Sequence, residues 1–189
     1  MDIYVVKYSG TFGFIKPWSA VRDSGSSSSV TYSQQFLTPS IIEGIRQKLE
    51  VEEILRHKLQ YSGVSTQLET IQAKAWKKSN KVYTLENSIS NRGILLYPIL
   101  FLAFSNQDDA QKASTQHICL CRNEDILLPD SEIQCMSVQD FDEIPGYELR
   151  FTTEGAFMVG YNRFNDNKLM YGRIEATGNP INDCPYELL

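Results

Sequence analysis

Basic and aromatic side chains alternate between residues 74 and 92, where the residue types point most directly to a chemistry. The segment contains Lys74, Trp76, Lys77, Lys78, Lys81, Tyr83 and Arg92, with Glu86 as its one acidic residue. Lysines neutralise phosphates, and aromatic rings offer faces on which unpaired bases stack. The pattern therefore predicts contact with a single-stranded nucleic acid, and an exposed hairpin with ordinary surface charges is the alternative.

Cysteine and histidine side chains are further candidates for chemistry. Cys119 and Cys121 lie two residues apart, which on a strand places both thiols on one face. A structural zinc site needs four ligands, usually from two paired clusters, and the remaining cysteines and histidines lack that spacing. We therefore expect no metal and predict that the cysteines are small buried hydrophobic groups. A nucleophile paired with His117 stays open, although neither a nucleophile elbow nor a cysteine-family signature accompanies it.

His57 and Lys58 are a possible pair for acid–base cleavage of RNA. The spacing of the surrounding apolar residues predicts a helix that places them on its solvated face. Its start is either Thr38 as the cap before Pro39, or a capping box of Ser40 and Glu43, and Gly63 is the expected stop. Within that helix, Gly44 costs ~1 kcal/mol relative to alanine, which indicates close packing against the helix backbone.

The elements that must position these residues are mostly short strands. Period-two patterns and turn residues predict strands over 3–8, 82–85, 94–104 (one or two strands), 117–120, 147–151, 156–161 and 168–176. Hairpin turns are expected at 87–91 and 165–167, and Ser105 or Asn106 can cap a short second helix. The serine-rich segment 23–29 is interpreted as a solvated connector or a loop that orders on a ligand. The fold class is therefore α+β, an antiparallel sheet with two helices.

Composition and charge set the outer limits of the interpretation. The 189 residues suit one domain, and their net charge of −5 divides into +4 for residues 1–100 and −9 for the rest. This asymmetry predicts one side that faces a polyanion and one acidic side. The longest apolar run, 93–104, falls short of the ~20 residues of a membrane-spanning helix. With no signal-peptide pattern and four cysteines, we expect a cytoplasmic protein with reduced thiols.

Three segments, in this order, resemble one protein family. Residues 3–10 resemble its first strand and glycine turn, and residues 38–44 resemble its Pro-Ser-x-x-x-Gly helix start. Residues 119–125 resemble its Tyr-Leu-Gly-Arg-x-Glu-Asp segment, with Cys121 in place of the glycine. The chain is thus similar to the RAMP-type CRISPR-associated subunits, family five of the Cas proteins, which cap the 5′ handle of the guide RNA in Cascade complexes.

The resemblance implies a ferredoxin-like, RRM-related antiparallel sheet with helices. Residues 1–189 would form a single RAMP-type domain, with a protruding β-hairpin thumb around 68–92. It implies a non-catalytic, RNA-binding subunit of a type I Cascade complex, without cofactor, metal or membrane. The expected partners are the crRNA, the Cascade backbone and large subunits and, indirectly, target DNA. Together with the basic pattern it predicts these RNA-binding residues: Arg22, Tyr32, Lys74, Trp76, Lys77, Lys78, Lys81, Arg92 and Arg122.

Two other functions stay open. One branch of the family cleaves precursor crRNA with a tyrosine shortly before the Pro-Ser helix start, and Tyr32 is the nearest equivalent. Five residues separate Tyr32 from Thr38, a longer gap than in that branch, so we expect Tyr32 to stack on RNA rather than to catalyse. The alternatives are a metal-independent endoribonuclease and an RNA-independent adaptor that uses the acidic second half. Whether the complex leads to cleavage or recruits a transposition apparatus is likewise open.

Overall fold

Strands and three helices make up the described part of the chain. The computed structural model describes residues 2–17, 30–162 and 166–183, without the side chains of 70–77 and 84–90. The strands are β1 Asp2–Ser9, β2 Phe12–Gly13, β3 Val30–Tyr32, β4 Arg56–Gln60, β5 Gly63–Ser79, β6 Val82–Leu96, β7 Ile99–Phe104, β8 Ile118–Cys119, β9 Ile126–Ser137, β10 Gly146–Phe151, β11 Phe157–Asn162 and β12 Lys168–Thr177. The helices are α1 Pro39–Leu49, α2 Gln107–Ser114 and α3 Val138–Glu143.

Two sheets organise these strands. The larger sheet has the order β11-β12-β10-β4-β7-β1-β9-β8, and all its neighbouring strands are antiparallel. In the smaller sheet, β6 pairs with β5 along its length and with β2 and β3 at residues 91–96, and only the β3–β6 ladder is parallel. The expected α+β class with a mostly antiparallel sheet is thereby confirmed.

Strand β1, which lies between β7 and β9, shows why helices cover the larger sheet on both faces. Val6 and Tyr8 face a core that also holds Ile45 and Leu49 of α1 and two alanines of α2. Ile3 and Val5 point to the opposite face, where they pack with Phe141 of α3. Such near-continuous apolar strands are typical of strands buried on both faces, because alternating residues each need a core to pack against.

The first helix is shorter than the sequence predicts. It begins at Pro39 after Thr38, which is one of the two predicted starts. It ends at Leu49 because Glu50 adopts a left-handed conformation with φ 55°. Residues 56–60 are the strand β4, buried between β7 and β10. The helix predicted up to Gly63 is therefore wrong, since strand pairing overrides the helical spacing. Close packing at Gly44 is also wrong, because a Cβ there would meet open space.

The basic segment forms a hairpin whose turn is not where the sequence places it. Asn80 and Lys81 make the turn, with φ of 48° and 68°, and residues 82–96 form one continuous strand. Two successive positive φ values are the conformation of a type I′ turn, which twists in the same sense as the flanking strands. The turn predicted at 87–91 is wrong, because that polar run pairs with 68–72 across the ladder.

Other predicted elements are confirmed, whereas β2, β3, β5, β9 and α3 were missed. Asn106 caps α2 by accepting a hydrogen bond from the Asp109 amide. The strands over 3–8, 94–104, 117–120 and the three strands after 146 are present. β9 and α3 were not foreseen, although Ser137 and Asp140 form a capping box at the start of α3. The serine-rich segment lies outside the described residues, and no described helix is long and apolar enough to cross a membrane.

Candidate nucleic-acid interface

The outer part of the β5–β6 hairpin is a two-stranded ribbon. Within the described chain, residues 82–90 of β6 pair with β5 alone, whereas residues 91–96 also pair with β2 or β3. At ~3.3 Å per residue, the ribbon extends about 30 Å from the smaller sheet. An isolated two-stranded hairpin is only marginally stable in water, so this ribbon suits contact with a partner.

A cation and an aromatic ring meet at the tip of the ribbon. The Lys78 ammonium lies 5.5 Å from the centroid of the Tyr83 ring, and 59% of Tyr83 is exposed. Lys81 in the turn is exposed as well. The tip therefore presents two positive charges and a ring face, which are the groups that bind phosphates and stack bases. Lys74, Trp76 and Lys77 lie on β5 in the same ribbon, and their side chains are outside the described part.

Two of the predicted arginines meet at the base of the hairpin. The guanidinium groups of Arg92 and Arg122 each lie 5.4 Å from the ring centroid of the buried Phe14. Arg92 forms an ion pair of 3.0 Å with Glu69, and Arg122 donates a hydrogen bond of 3.0 Å to the side-chain oxygen of Gln67. Phe14 was missed in the sequence, because Arg92 and Arg122, whose guanidinium groups contact its ring, are far from it along the chain.

Arg122 also organises its own loop. Its guanidinium donates to both carboxylate oxygens of Asp125, which is fully buried, and the Arg122 amide donates to the same carboxylate. The hydrogen bond to Asp125 raises the pKa of Arg122 above its ordinary value. The charge of Arg122 is thus already matched inside the protein, and its strongest observed role is to hold residues 121–125 against the hairpin base.

Tyr32 forms an exposed aromatic platform on a glycine. β3 runs parallel to β6, and 60% of Tyr32 is exposed. A Cβ built on Gly93 would lie 2.3 Å from a ring carbon of Tyr32, so the ring packs directly on a backbone that carries no side chain. Only glycine permits this approach. The sequence identified Tyr32 but not Gly93. Arg22, which the sequence also predicts to bind RNA, lies outside the described residues.

His57 and Lys58 are not on a solvated face, and that prediction is wrong. The Lys58 ammonium donates hydrogen bonds to the carbonyl oxygens of Asp142 and Ile144, at 2.8 and 2.6 Å, and to the Thr177 hydroxyl at 3.2 Å. Burial lowers the pKa of Lys58, and lowers the pKa of His57 to about 4. Lys58 therefore serves as a cation at the C-terminal carbonyls of α3, where the helix dipole favours positive charge.

The cysteines do not behave as buried hydrophobic groups. Cys119 is half-buried, whereas Cys121 and Cys135 are exposed, so that prediction is wrong for these three. The Cys121 sulfur accepts a hydrogen bond from the Lys16 amide, and desolvation is the main cause that raises the pKa of its thiol. In the portion of the chain described, no three histidine, cysteine, aspartate or glutamate residues are grouped so as to hold a metal ion.

No protein-family model matches the sequence, and no curated protein matches it.

Proposed function

We propose that the protein is a non-catalytic, single-stranded RNA-binding subunit that caps the 5′ handle of the crRNA in a type I CRISPR Cascade complex. The observation that carries the proposal is the ribbon of residues 70–90. At its exposed tip, the Lys78 ammonium lies over the Tyr83 ring. Tyr32 supplies a second exposed ring on the sheet from which the ribbon extends. Cationic groups and exposed aromatic rings are the groups that bind an unpaired strand of RNA.

The connectivity of the larger sheet supports the finer part of the proposal, a ferredoxin-like domain. In chain order, with β2, β3, β5, β6 and β8 inserted between them, the elements β1, α1, β4, β7, α2 and β9 follow one another as a β-α-β-β-α-β series. Their strands lie in the order β4-β7-β1-β9, and α1 and α2 share one core on the same face. This series and strand order support the split β-α-β arrangement of ferredoxin-like and RRM domains that the family resemblance implies. The ribbon would then be the thumb.

A non-catalytic role agrees with the environments of the candidate acid–base groups. RNA cleavage without a metal needs a base at the 2′-hydroxyl and a group that stabilises the departing charge, both held in place. All three hydrogen-bond donors of Lys58 have acceptors within the protein. Tyr32, with its largely exposed ring, is better suited to stack on a base than to fix a hydroxyl group.

A salt titration of RNA binding tests the proposal. We expect replacement of Lys77, Lys78 and Lys81 by alanine to weaken binding of repeat RNA. Because each lost phosphate contact releases one counterion fewer, the slope of log K against log salt should become shallower by about 2. The matched control is Lys48→Ala with Lys168→Ala, two exposed lysines outside the hairpin. An unchanged slope in the triple variant would mean that the ribbon is ordinary solvated surface.

Incubation with repeat RNA separates the proposal from its alternatives. We expect a mobility shift without cleavage products, with Tyr32→Phe retaining RNA and Tyr32→Ala losing affinity because the stacking ring is gone. Cleavage that disappears in Tyr32→Phe would instead support the endoribonuclease. Neither a shift nor cleavage would support the adaptor. Sequencing the RNA that co-purifies with the assembled complex would identify the guide.

A further inference from the structure

Strand β6 places two exposed aromatic rings on the same face of the hairpin sheet. Side chains alternate between the two faces of a strand, and positions 83 and 93 of β6 are ten residues apart, so both belong to one face. Both register shifts of the ladder add residues to β5 and none to β6, so the alternation along β6 is unbroken. A Cβ on Gly93 would point into the Tyr32 ring, which therefore shares this face with Tyr83. We refer to it as the aromatic face.

Other exposed residues of β5 lie on the aromatic face. Lys78 is the ladder partner of Tyr83, and its ammonium lies over that ring. Thr66 is the ladder partner of Gly93 and is exposed, and Leu68, two positions further along β5, is 69% exposed. Residues directly opposite in an antiparallel ladder share a face, so these side chains flank the line that joins the two rings.

The opposite face carries the two arginines that the sequence predicts to bind RNA. Arg92 precedes Gly93 in β6 and therefore projects to the other face, where it pairs with Glu69 at 3.0 Å. Arg122 lies on the same side, 3.7 Å from Glu69, and its main partner is the buried Asp125. A phosphate on that face would have to displace a carboxylate from each arginine, whereas the aromatic face offers exposed rings and the Lys78 ammonium.

The distance between the two rings sets the length of RNA that can touch both. The ten residues of β6 between positions 83 and 93, at ~3.3 Å each, separate the rings by about 33 Å along the strand. A stacked nucleic-acid strand rises ~3.4 Å per nucleotide, so about ten stacked nucleotides cover this distance. A trinucleotide is too short, because even at twice that rise it covers only about 20 Å.

We propose that one RNA strand follows the aromatic face along β6 and stacks one unpaired base on Tyr83 and another on Tyr32. The inference rests on the proposed function and adds to it the face that holds the RNA and the length of RNA that this face requires. When one strand joins two weak contacts, the second contact becomes intramolecular, which raises the overall affinity by about 10²–10⁴. The hairpin thus selects long unpaired segments over short ones and over duplexes, whose bases are not free to stack on side chains.

The first test compares oligouridylates of 3 and 12 nucleotides on the full chain. We expect the 12-mer to bind about a hundredfold more tightly than the trinucleotide, with one RNA per protein. Tyr83→Ala and Tyr32→Ala should each weaken binding of the 12-mer at least about tenfold, but binding of the trinucleotide only about twofold, because one of its two sites remains. Equal losses for both lengths in both variants would overturn the bridging strand.

The second test uses two adjacent residues of β5 that project to opposite faces. Thr66, opposite Gly93, is on the aromatic face, and Ser65, opposite Ile94, is on the other face; both are exposed. Thr66→Glu and Ser65→Glu therefore add the same charge at neighbouring positions, and only the face differs. We expect Thr66→Glu to weaken binding of the 12-mer about tenfold, because the carboxylate lies beside the stacked base and its phosphate, and Ser65→Glu to weaken it less than about twofold.

The outcomes separate this inference from the proposed function. Wild type that binds the 12-mer, with equal losses in Thr66→Glu and Ser65→Glu, would overturn the path along the aromatic face and leave RNA binding intact. Wild type that binds neither the 12-mer nor repeat RNA would overturn the proposed function and the inference with it. Both substituted positions are exposed, so each variant retains the buried core.

Discussion

Acidification should destabilise this protein through His57 before it affects the carboxylates. His57 lies in β4 in the middle of the larger sheet, and burial lowers its pKa from 6.5 to about 4. Nearby Glu148 opposes this shift and Arg56 reinforces it, and burial outweighs both. Between pH 6.5 and pH 4, His57 therefore binds a proton in the unfolded chain but stays neutral in the folded protein. Stability is complete above pH 6.5 and falls as the pH is lowered through this window.

The size of the effect follows from the two pKa values. Between pH 7 and pH 5, one such group lowers the free energy of unfolding by about 2 kcal/mol. The loss approaches about 3 kcal/mol near pH 4, the limit set by the full difference in pKa. Several carboxylates contribute in another window. The pKa values of Glu43, Asp142 and Glu175 are lowered in the folded protein by hydrogen bonds from arginines, so their stabilisation is lost at still lower pH.

Urea unfolding followed by circular dichroism at pH 7, 6 and 5 measures this dependence. We expect wild type to lose about 2 kcal/mol from pH 7 to pH 5, and His57→Gln to lose almost none because its amide does not titrate. His117→Gln, at an exposed position, is the matched control and should follow wild type. Equal pH dependence in wild type and His57→Gln would refute the reasoning, since it would show that His57 takes up a proton in the fold.

Three further predictions concern single contacts. Asp125→Ala removes the buried partner of Arg122, so we expect the free energy of unfolding in urea to fall by about 3 kcal/mol. A loss below about 1 kcal/mol would mean that the ion pair does not hold the loop. Lys58→Met leaves the carbonyl groups at the end of α3 without their donor and should lower the free energy of unfolding by about 2 kcal/mol. We expect amide exchange to become faster in α3 than in α2, whereas a uniform change would contradict a local role. Gly93→Ala forces a methyl group into the Tyr32 ring and should weaken RNA binding as much as Tyr32→Ala does, so retention of full affinity would show that the platform is not used.

Local signals made part of the fold predictable. Asn106 and the acidic residues after it mark the start of α2, and Thr38 before Pro39 marks the start of α1. In both cases the determining contacts lie within a few residues along the chain. The sequence predicts the hairpin turn in the more polar run 87–91 rather than at Asn80. Composition alone does not show which polar residues adopt positive φ.

Long-range contacts account for what sequence reasoning missed. Residues 56–60 contain good helix formers, and they are a strand because β7 and β10 pair with them. In the candidate interface, Arg92 and Arg122 are thirty positions apart in the sequence. The Phe14 ring that both guanidinium groups contact is far from either arginine along the chain. The spacing of bases and aromatics revealed the ribbon, but the partners that position each side chain come from distant segments.

The continuity of β6 couples the ribbon mechanically to the body of the protein. Residues 82–90 belong to the ribbon and residues 91–96 to the smaller sheet, yet they form one strand without an intervening loop. The register shifts fall on β5, so its partner strand is the straighter member of the pair. One unbroken strand thus connects the tip of the ribbon to Gly93, the position on which Tyr32 rests. The position of Tyr83 relative to Tyr32 is therefore set through a single strand, without a loop between them.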